Sequence, residues 1–387
     1  MSSSAQPTSQ VPPPGRGVLG SLRDFWQRVS EGRAVEDLWS QFAADAQSSY
    51  GFYGKDVDWE EIERLPRWKR PYPVIKQFFW ALMNKLTPAR RVLLLVAIVM
   101  LFLSGPKIQY RDQFSFDFNF ETLASLLLLF LLSLELADKV IMKRDLEIAR
   151  EIQSWLVPSA PPAIQGADVA FSTRPQNTVA GDYFDAFYPD SDADSGGRLM
   201  LVMADVAGKS IPAALLMATL QASLHTIASE RLPLPELARR LNHYASAHSL
   251  DGRRFTTAII GEYEPDTRRF SYVNAGHNAP ILRCANGNIV RLESSSVPLG
   301  ITREAVFPSS EITLQPGDTL ILFTDGVVEA FNSSGEEFSD PRWVSIVHAL
   351  PSLSAKDTLQ HLMRQVDTFV GSTRQSDDIT CLVLRCC

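Results

Sequence analysis

Residues 201–214 read Leu201-Val-Met-Ala-Asp205-Val-Ala-Gly208-Lys209-Ser210-Ile-Pro-Ala-Ala214. An apolar, β-prone run ends on a carboxylate, and a glycine turn follows. A helix-forming Ala/Leu/Met segment then begins beyond Pro212, a residue suited to a first helical turn. An aspartate at the end of a buried strand is desolvated unless a cation, a Lys or Arg, or a helix N-terminus meets it. The Gly-Lys-Ser inside the stretch raises the possibility of a phosphate-binding P-loop. That motif needs Gly five residues before Gly208, where Met203 stands, and Asp205 would repel the phosphate. The P-loop is set aside.

The 387-residue chain has a net charge of −7, which argues against a nucleic-acid partner, since that needs a basic face. Cys284, Cys381, Cys386 and Cys387 form no CxxC pair, as expected in a reducing compartment. Residues 1–20 are rich in Ser, Gln, Pro and Gly and are expected to be disordered. Residues 21–90 read as a cytoplasmic N-terminal helical region, with Leu22 to Phe42 amphipathic. Two apolar runs follow, Val92 to Leu103 and Leu123 to Leu134. They predict a two-span transmembrane hairpin over 91–138. Each run falls short of the roughly 18–20 residues of a comfortable span, so a buried helical pair is the alternative.

Leu126 to Leu132 is apolar on every face, which a surface helix does not tolerate. Arg64, Arg67, Lys69 and Arg70 precede the pair, and Lys139, Lys143 and Arg144 follow it. By the positive-inside rule both flanks are cytoplasmic, which makes the chain a multi-pass protein of the inner (cytoplasmic) membrane with its C-terminal domain in the cytoplasm. Residues 139–158 then form a helical linker, in which Ile141, Ile148 and Trp155 continue a seven-residue spacing from Leu134.

From residue 159 to 387 short strands and helices come in blocks joined by hairpins, an α+β pattern of stacked layers. Carboxylates stand at the ends of several apolar runs: Asp182 in Ala180-Gly-Asp-Tyr-Phe-Asp185, Asp205, Asp325 in Thr324-Asp-Gly326, and Asp377-Asp378. A strand-end Asp beside Gly is ordinarily a turn or cap residue, but four such positions are better explained by convergence. Converging carboxylates repel one another and call for hard cations. All-oxygen ligation suits Mg²⁺ or Mn²⁺, and no His/Cys spacing suits zinc.

Residues 148–386 resemble the metal-dependent protein phosphatase (PPM) family in its bacterial sporulation and stress-response, SpoIIE-like branch. The resemblance rests on Ala149-Arg-Glu-Ile-Gln153, Gly181-Asp-Tyr-Phe-Asp185, Asp205-Val-Ala-Gly-Lys209, Asn274-Ala-Gly-His277, Thr324-Asp-Gly326 with Glu329, and Asp377-Asp-Ile-Thr380. It implies a PPM-type αββα sandwich, two antiparallel sheets flanked by helices, over 159–387. It also implies two Mn²⁺ or Mg²⁺ ions that activate water for direct attack on phosphorus. By the resemblance Asp205 bridges the ions, the carbonyl of Val206 adds a ligand, Asp325 and Asp377 serve one ion and Asp182 the other. Asp205 and Asp182 thereby carry the catalysis. Asp378, where many relatives have Asn, either binds metal or orients water.

The implied function is dephosphorylation of phosphoserine or phosphothreonine in a protein, with an anti-sigma-factor antagonist of the STAS type as substrate. A homodimer through the linker helix is suggested with it. The alternative is a catalytically silent membrane scaffold that binds a phosphorylated partner. Two departures from the pattern stand out. Ser210 replaces the usual Gly and is expected to cap the helix it precedes. Ala207 replaces a histidine that protonates the leaving group in many eukaryotic relatives. His277 is then a candidate donor, but a structural role in its turn is the expectation.

Overall fold

The computed structural model of the chain describes residues 66, 71–103, 107–110, 114–117, 119–189, 197–208, 210–248 and 254–387. The expected disorder of residues 1–20 and the amphipathic helix at 22–42 lie outside them. Two compact units are distinguished, 1–138 and 139–387.

In the first unit, α1 (Pro71–Lys85) and α2 (Pro88–Phe102) precede a two-stranded antiparallel ribbon, β1 (Lys107–Tyr110) with β2 (Phe114–Asp117). The long helix α3 (Phe120–Leu156) then starts here and ends in the second unit. Ala97 on α2 and Ala124 and Leu131 on α3 are buried, whereas Val92, Val99, Phe102, Leu126, Leu129 and Leu132 are more than half exposed. Large apolar residues on the outside reverse the arrangement usual in soluble helices. Arg90 pairs with Glu135 at 2.8 Å and Asp138 at 2.6 Å, tying α2 to α3. Among the described residues two helices are long and apolar enough to cross a membrane, Phe120–Leu156 and Ile211–Ala228. The second is a core helix of the C-terminal domain. α2, at 15 residues, is shorter than a span needs.

The second unit holds two five-stranded antiparallel sheets. One has the order β10-β7-β6-β5-β4, built from β4 (Tyr183–Phe187), β5 (Leu199–Val206), β6 (Thr256–Glu264), β7 (Arg269–Ala275) and β10 (Ser310–Thr313). The other has the order β3-β12-β11-β8-β9, from β3 (Ala167–Arg174), β8 (Ile281–Arg283), β9 (Ile289–Arg291), β11 (Thr319–Phe323) and β12 (Ile379–Cys386). Helices α4 (Ile211–Ala228) and α5 (Leu234–Ala247) cover the first sheet. The short α6 (Asp325–Val328) with α7 (Asp340–His348) and α8 (Ala355–Val370) covers the second.

Alternation along each strand makes the layers. On β5, Leu199, Leu201 and Met203 join Leu320, Leu322, Leu382 and Leu384 in the core between the sheets. Met200, Val202, Ala204 and Val206 pack outward on Met217, Leu224 and Leu241 of the helices. The helices, hairpins and αββα layering expected from sequence are present. The strand β4 was not anticipated, because its five residues carry Asp185 in place of a clean apolar alternation.

Candidate metal centre

Strand parity brings the site together. Asp205 ends the row of β5 that contains Leu201 and Met203, so it stands at one rim of the inter-sheet layer. Phe184 and Ala186 face the same layer, which gives Asp182, just before β4, the same direction. Tyr183 pairs with Ala204, and one further step of that register sets Asp182 opposite Asp205. In the facing sheet, Leu382 and Leu384 assign Thr380 and Asp378 to the row, and Leu320 and Leu322 assign Thr324.

Asp182 is 4% exposed, and its Oδ2 accepts from the hydroxyls of Thr324 at 2.9 Å and Thr380 at 2.5 Å. Burial pushes its carboxyl well above the usual range. Repulsion from Asp205 and Asp378 adds to that, and the two hydroxyls only partly offset it. A carboxylate in this position calls for added positive charge.

Gly181 packs on the metal loop: a Cβ at that residue would lie 3.4 Å from the Val206 carbonyl oxygen and 3.7 Å from Asp205 Oδ1. The Val206 carbonyl is thus turned toward Asp182's neighbour. Asp325 opens α6, and Gly326 lets that turn press on the start of β12, because a Cβ there would fall 1.9 Å from the Asp378 carbonyl oxygen. The Asp325 turn and Asp377-Asp378 are therefore held against each other.

Asp378 has a task that sequence reasoning missed. Its Oδ1 accepts the amide of Gln176 and its Oδ2 the amide of Gly181, both at 2.6 Å. It latches the β3–β4 loop to β12 and so fixes Asp182. Gln153, near the end of α3, grips the same loop from the other side. Its Nε2 donates to the Ala180 carbonyl at 2.7 Å, and its Oε1 accepts the Ala180 amide at 2.9 Å. Thr324 and Thr380 were also missed. Their signal was present in the sequence: each sits one or two residues from a site aspartate, on the inward parity of its strand.

Asp185, the second aspartate of its motif, faces the other way. It accepts from Tyr183 Oη and contacts His225 Nε2, each at 2.7 Å, bracing α4 on β4 outside the site. The expected structural role of His277 agrees with its setting. It is 3% exposed, its amide donates to Asn274 Oδ1, and Nδ1 lies 3.0 Å from Thr257 Oγ1. Burial lowers it to about 4, so it carries no imidazolium proton to donate at neutral pH. Ser210 departs from expectation. Its side chain makes no cap bond, and at φ 66°, ψ −148° it occupies a region that favours glycine.

Asp182, Asp205 and Asp378 lie near enough to repel one another, with the Val206 carbonyl and the Asp325 turn packed beside them, an oxygen-only set of donors of the kind Mg²⁺ or Mn²⁺ takes. Among the described residues they do not close into a ready chelate of three or more His, Cys, Asp or Glu side chains. Fit rests on donor chemistry and on the mutual repulsion of Asp182, Asp205 and Asp378.

Residues 195–386 match the family model described as Stage II sporulation protein E (SpoIIE). Protein IcfG of Synechocystis sp. is 26% identical over 281 residues, covering 66% of this chain and 43% of that protein. Phosphoserine phosphatase RsbU of Bacillus subtilis is 25% identical over 245 residues, covering 63% of this chain and 70% of that one. The chain thus spans less than half the length of IcfG. Among solved structures, the SiaA-PP2C domain of Pseudomonas aeruginosa aligns with a TM-score of 0.55 at 19% identity, over 64% of this chain and 98% of that one, a likeness of fold. The C-terminal part of the chain, residues 195–386, is thus a SpoIIE-family phosphatase domain with a PP2C-like fold.

Proposed function

We propose that this protein is a membrane-tethered, metal-dependent phosphoserine/phosphothreonine protein phosphatase. The observation that carries the reading is the closeness of Asp205 and Asp378 to Asp182, which is buried against its own ionisation, with the Asp325 turn packed on the backbone of Asp377 and Asp378. Asp205, the Val206 carbonyl, Asp325, Asp377 and Asp182 would hold two Mn²⁺ or Mg²⁺ ions, and Asp378 adds charge beside its latch. The ions, when bound, would supply an activated water and neutralise phosphoryl charge. The chain's own part is orientation. Thr324 and Thr380 aim Asp182, the Asp378 latch fixes its loop, and the dry inter-sheet core behind it keeps the carboxylates from relaxing into solvent.

The family resemblance suggests a STAS-type anti-sigma-factor antagonist as substrate, and RsbU, whose name is phosphoserine phosphatase, supports the choice of residue. The exposed leucines and valines of α2 and α3 support a membrane hairpin that leaves the catalytic domain in the cytoplasm. A homodimer through the linker part of α3 fits its exposed Ile141, Ile148 and Trp155.

The test is release of phosphate by the full-length protein from a phosphoserine STAS-domain protein. We expect turnover with Mn²⁺ and a loss of at least about a hundredfold in Asp205→Ala, in keeping with the size of lost electrostatic stabilisation. Tight binding of the phosphoprotein without release would favour the scaffold reading. Retention in the pellet after carbonate washing of membranes tests the tether, and release into the wash would refute it.

A further inference from the structure

Beside the carboxylate rim opens a cleft of about 480 Å³, lined by Arg150, Gln176, Thr178, Ser210 and Arg374 among others. Each wall is tied to the site. Gln176 gives its amide to Asp378, Ser210 follows the metal loop, Arg374 precedes Asp377 by three residues, and Arg150 lies one turn before the Gln153 grip.

Two features make this cleft more than a gap between loops. Both arginines are exposed, and among the described residues neither is engaged in an ion pair or hydrogen bond. Elsewhere in the domain Arg174, Arg240, Arg291 and Arg342 are each paired with a carboxylate, while the exposed Arg268 and Arg303, like the two in the cleft, are in no ion pair among the described residues. The second feature is size. The volume falls in the range of about 300–1,000 Å³ typical of ligand clefts and exceeds what one phosphoryl group fills.

We propose that this cleft receives acidic residues flanking the phosphoserine of a protein substrate, with Arg150 and Arg374 supplying the attraction. The inference rests on the phosphatase reading above. The phosphoryl group belongs at the rim, where cations can neutralise it, and the chain around the phosphoserine must then pass over the adjoining cleft. On a chain with a net charge of −7, an anionic substrate otherwise meets repulsion. Two free guanidiniums at the mouth offset it and select for acidic neighbours, because Arg matches carboxylates in bidentate fashion.

The experiment uses the full-length protein in detergent with Mn²⁺ and two phosphoserine peptides, one flanked by Asp and Glu and one by Asn and Gln. The readout is the ratio of their kcat/KM values, with peptide affinity followed in parallel by fluorescence anisotropy. We expect a preference of about tenfold for the acidic peptide at low salt, shrinking as salt rises, in line with exposed charge pairs. In Arg150→Glu/Arg374→Glu the ratio should invert, and in Arg150→Gln/Arg374→Gln it should approach one. Both positions are exposed, so unchanged circular dichroism and melting temperature would verify the fold. Equal use of the two peptides by the wild type, or a ratio untouched in both variants, overturns the proposal. If neither peptide is hydrolysed, the phosphatase reading fails, and the anisotropy ratio still decides whether the cleft selects acidic chains.

Discussion

Ser210 is a residue at odds with its backbone. Its φ of 66° and ψ of −148° suit glycine, and it gains no compensating cap bond. Ser210→Gly is therefore expected to raise stability by about 1 kcal/mol, the lower part of the range for such strain, read as a higher urea midpoint. An unchanged or lower midpoint would mean that the loop relaxes around serine without cost. His277 gives a pH dependence. Its folded-state value of about 4 lies below the ordinary 6.5, so between these the unfolded chain binds a proton that the folded chain refuses. Stability contributed by the neutral imidazole is full above about 6.5 and is lost as pH falls toward 4, at most about 3 kcal/mol at 1.36 kcal/mol per pH unit. In His277→Gln the fall in urea midpoint between pH 7 and 4.5 should be shallower than in wild type. Parallel slopes would show that His277 is not the titrating group. The candidate carboxylates were legible at this scale. Asp182, Asp205, Asp325 and Asp377 announced themselves as carboxylates at the ends of apolar runs. The latch by Asp378 was not read, because a hydrogen bond to a residue 202 positions away leaves no local signal, whereas Thr324 and Thr380 could have been read from strand parity beside their aspartates.

At the scale of the element, the decisive contact is between α3 and the loop before β4. Gln153 satisfies both backbone groups of Ala180, two residues before Asp182, so the linker helix is bonded directly to the carboxylate loop. Gln153→Ala leaves a half-buried amide and carbonyl without partners, a cost of about 1–3 kcal/mol concentrated on that loop. Phosphate release should fall at least tenfold, with the Mn²⁺ needed for half-maximal activity raised, while global melting shifts by only a few degrees. Activity at the wild-type level would show that Asp378 alone suffices to hold Asp182. The sequence pattern located this helix and its motif but not the grip, since a glutamine in a helix has no periodicity that distinguishes a clamp from a surface residue. β4 was missed for a related reason. Its Tyr183 and Asp185 satisfy each other and His225 on the outer face, so buried polar residues stand where alternation leads one to expect apolar ones. Where the core is apolar throughout, as on β5, β11 and β12, alternation was sufficient to read both the strand and the direction of its terminal aspartate.

Across the whole molecule, one pattern joins the sandwich to its chemistry. The inter-sheet layer is dry and apolar until its rim, and there the strand ends supply carboxylates in place of leucines. Such a rim is stable only if its charge is met, by protons in the absence of metal or by cations in their presence. The layer architecture was readable from hairpins and block order. The near-chelating arrangement was not, because it depends on how two sheets from distant parts of the chain face each other. The most direct measurement is calorimetric titration of the full-length protein with Mn²⁺, alongside Asp205→Ala. The account predicts two ions per chain for the wild type and an affinity at least tenfold weaker for the variant, with phosphate release appearing over the same Mn²⁺ range. Folded wild-type protein that takes up neither Mn²⁺ nor Mg²⁺, or a variant that binds as the wild type does, would contradict it.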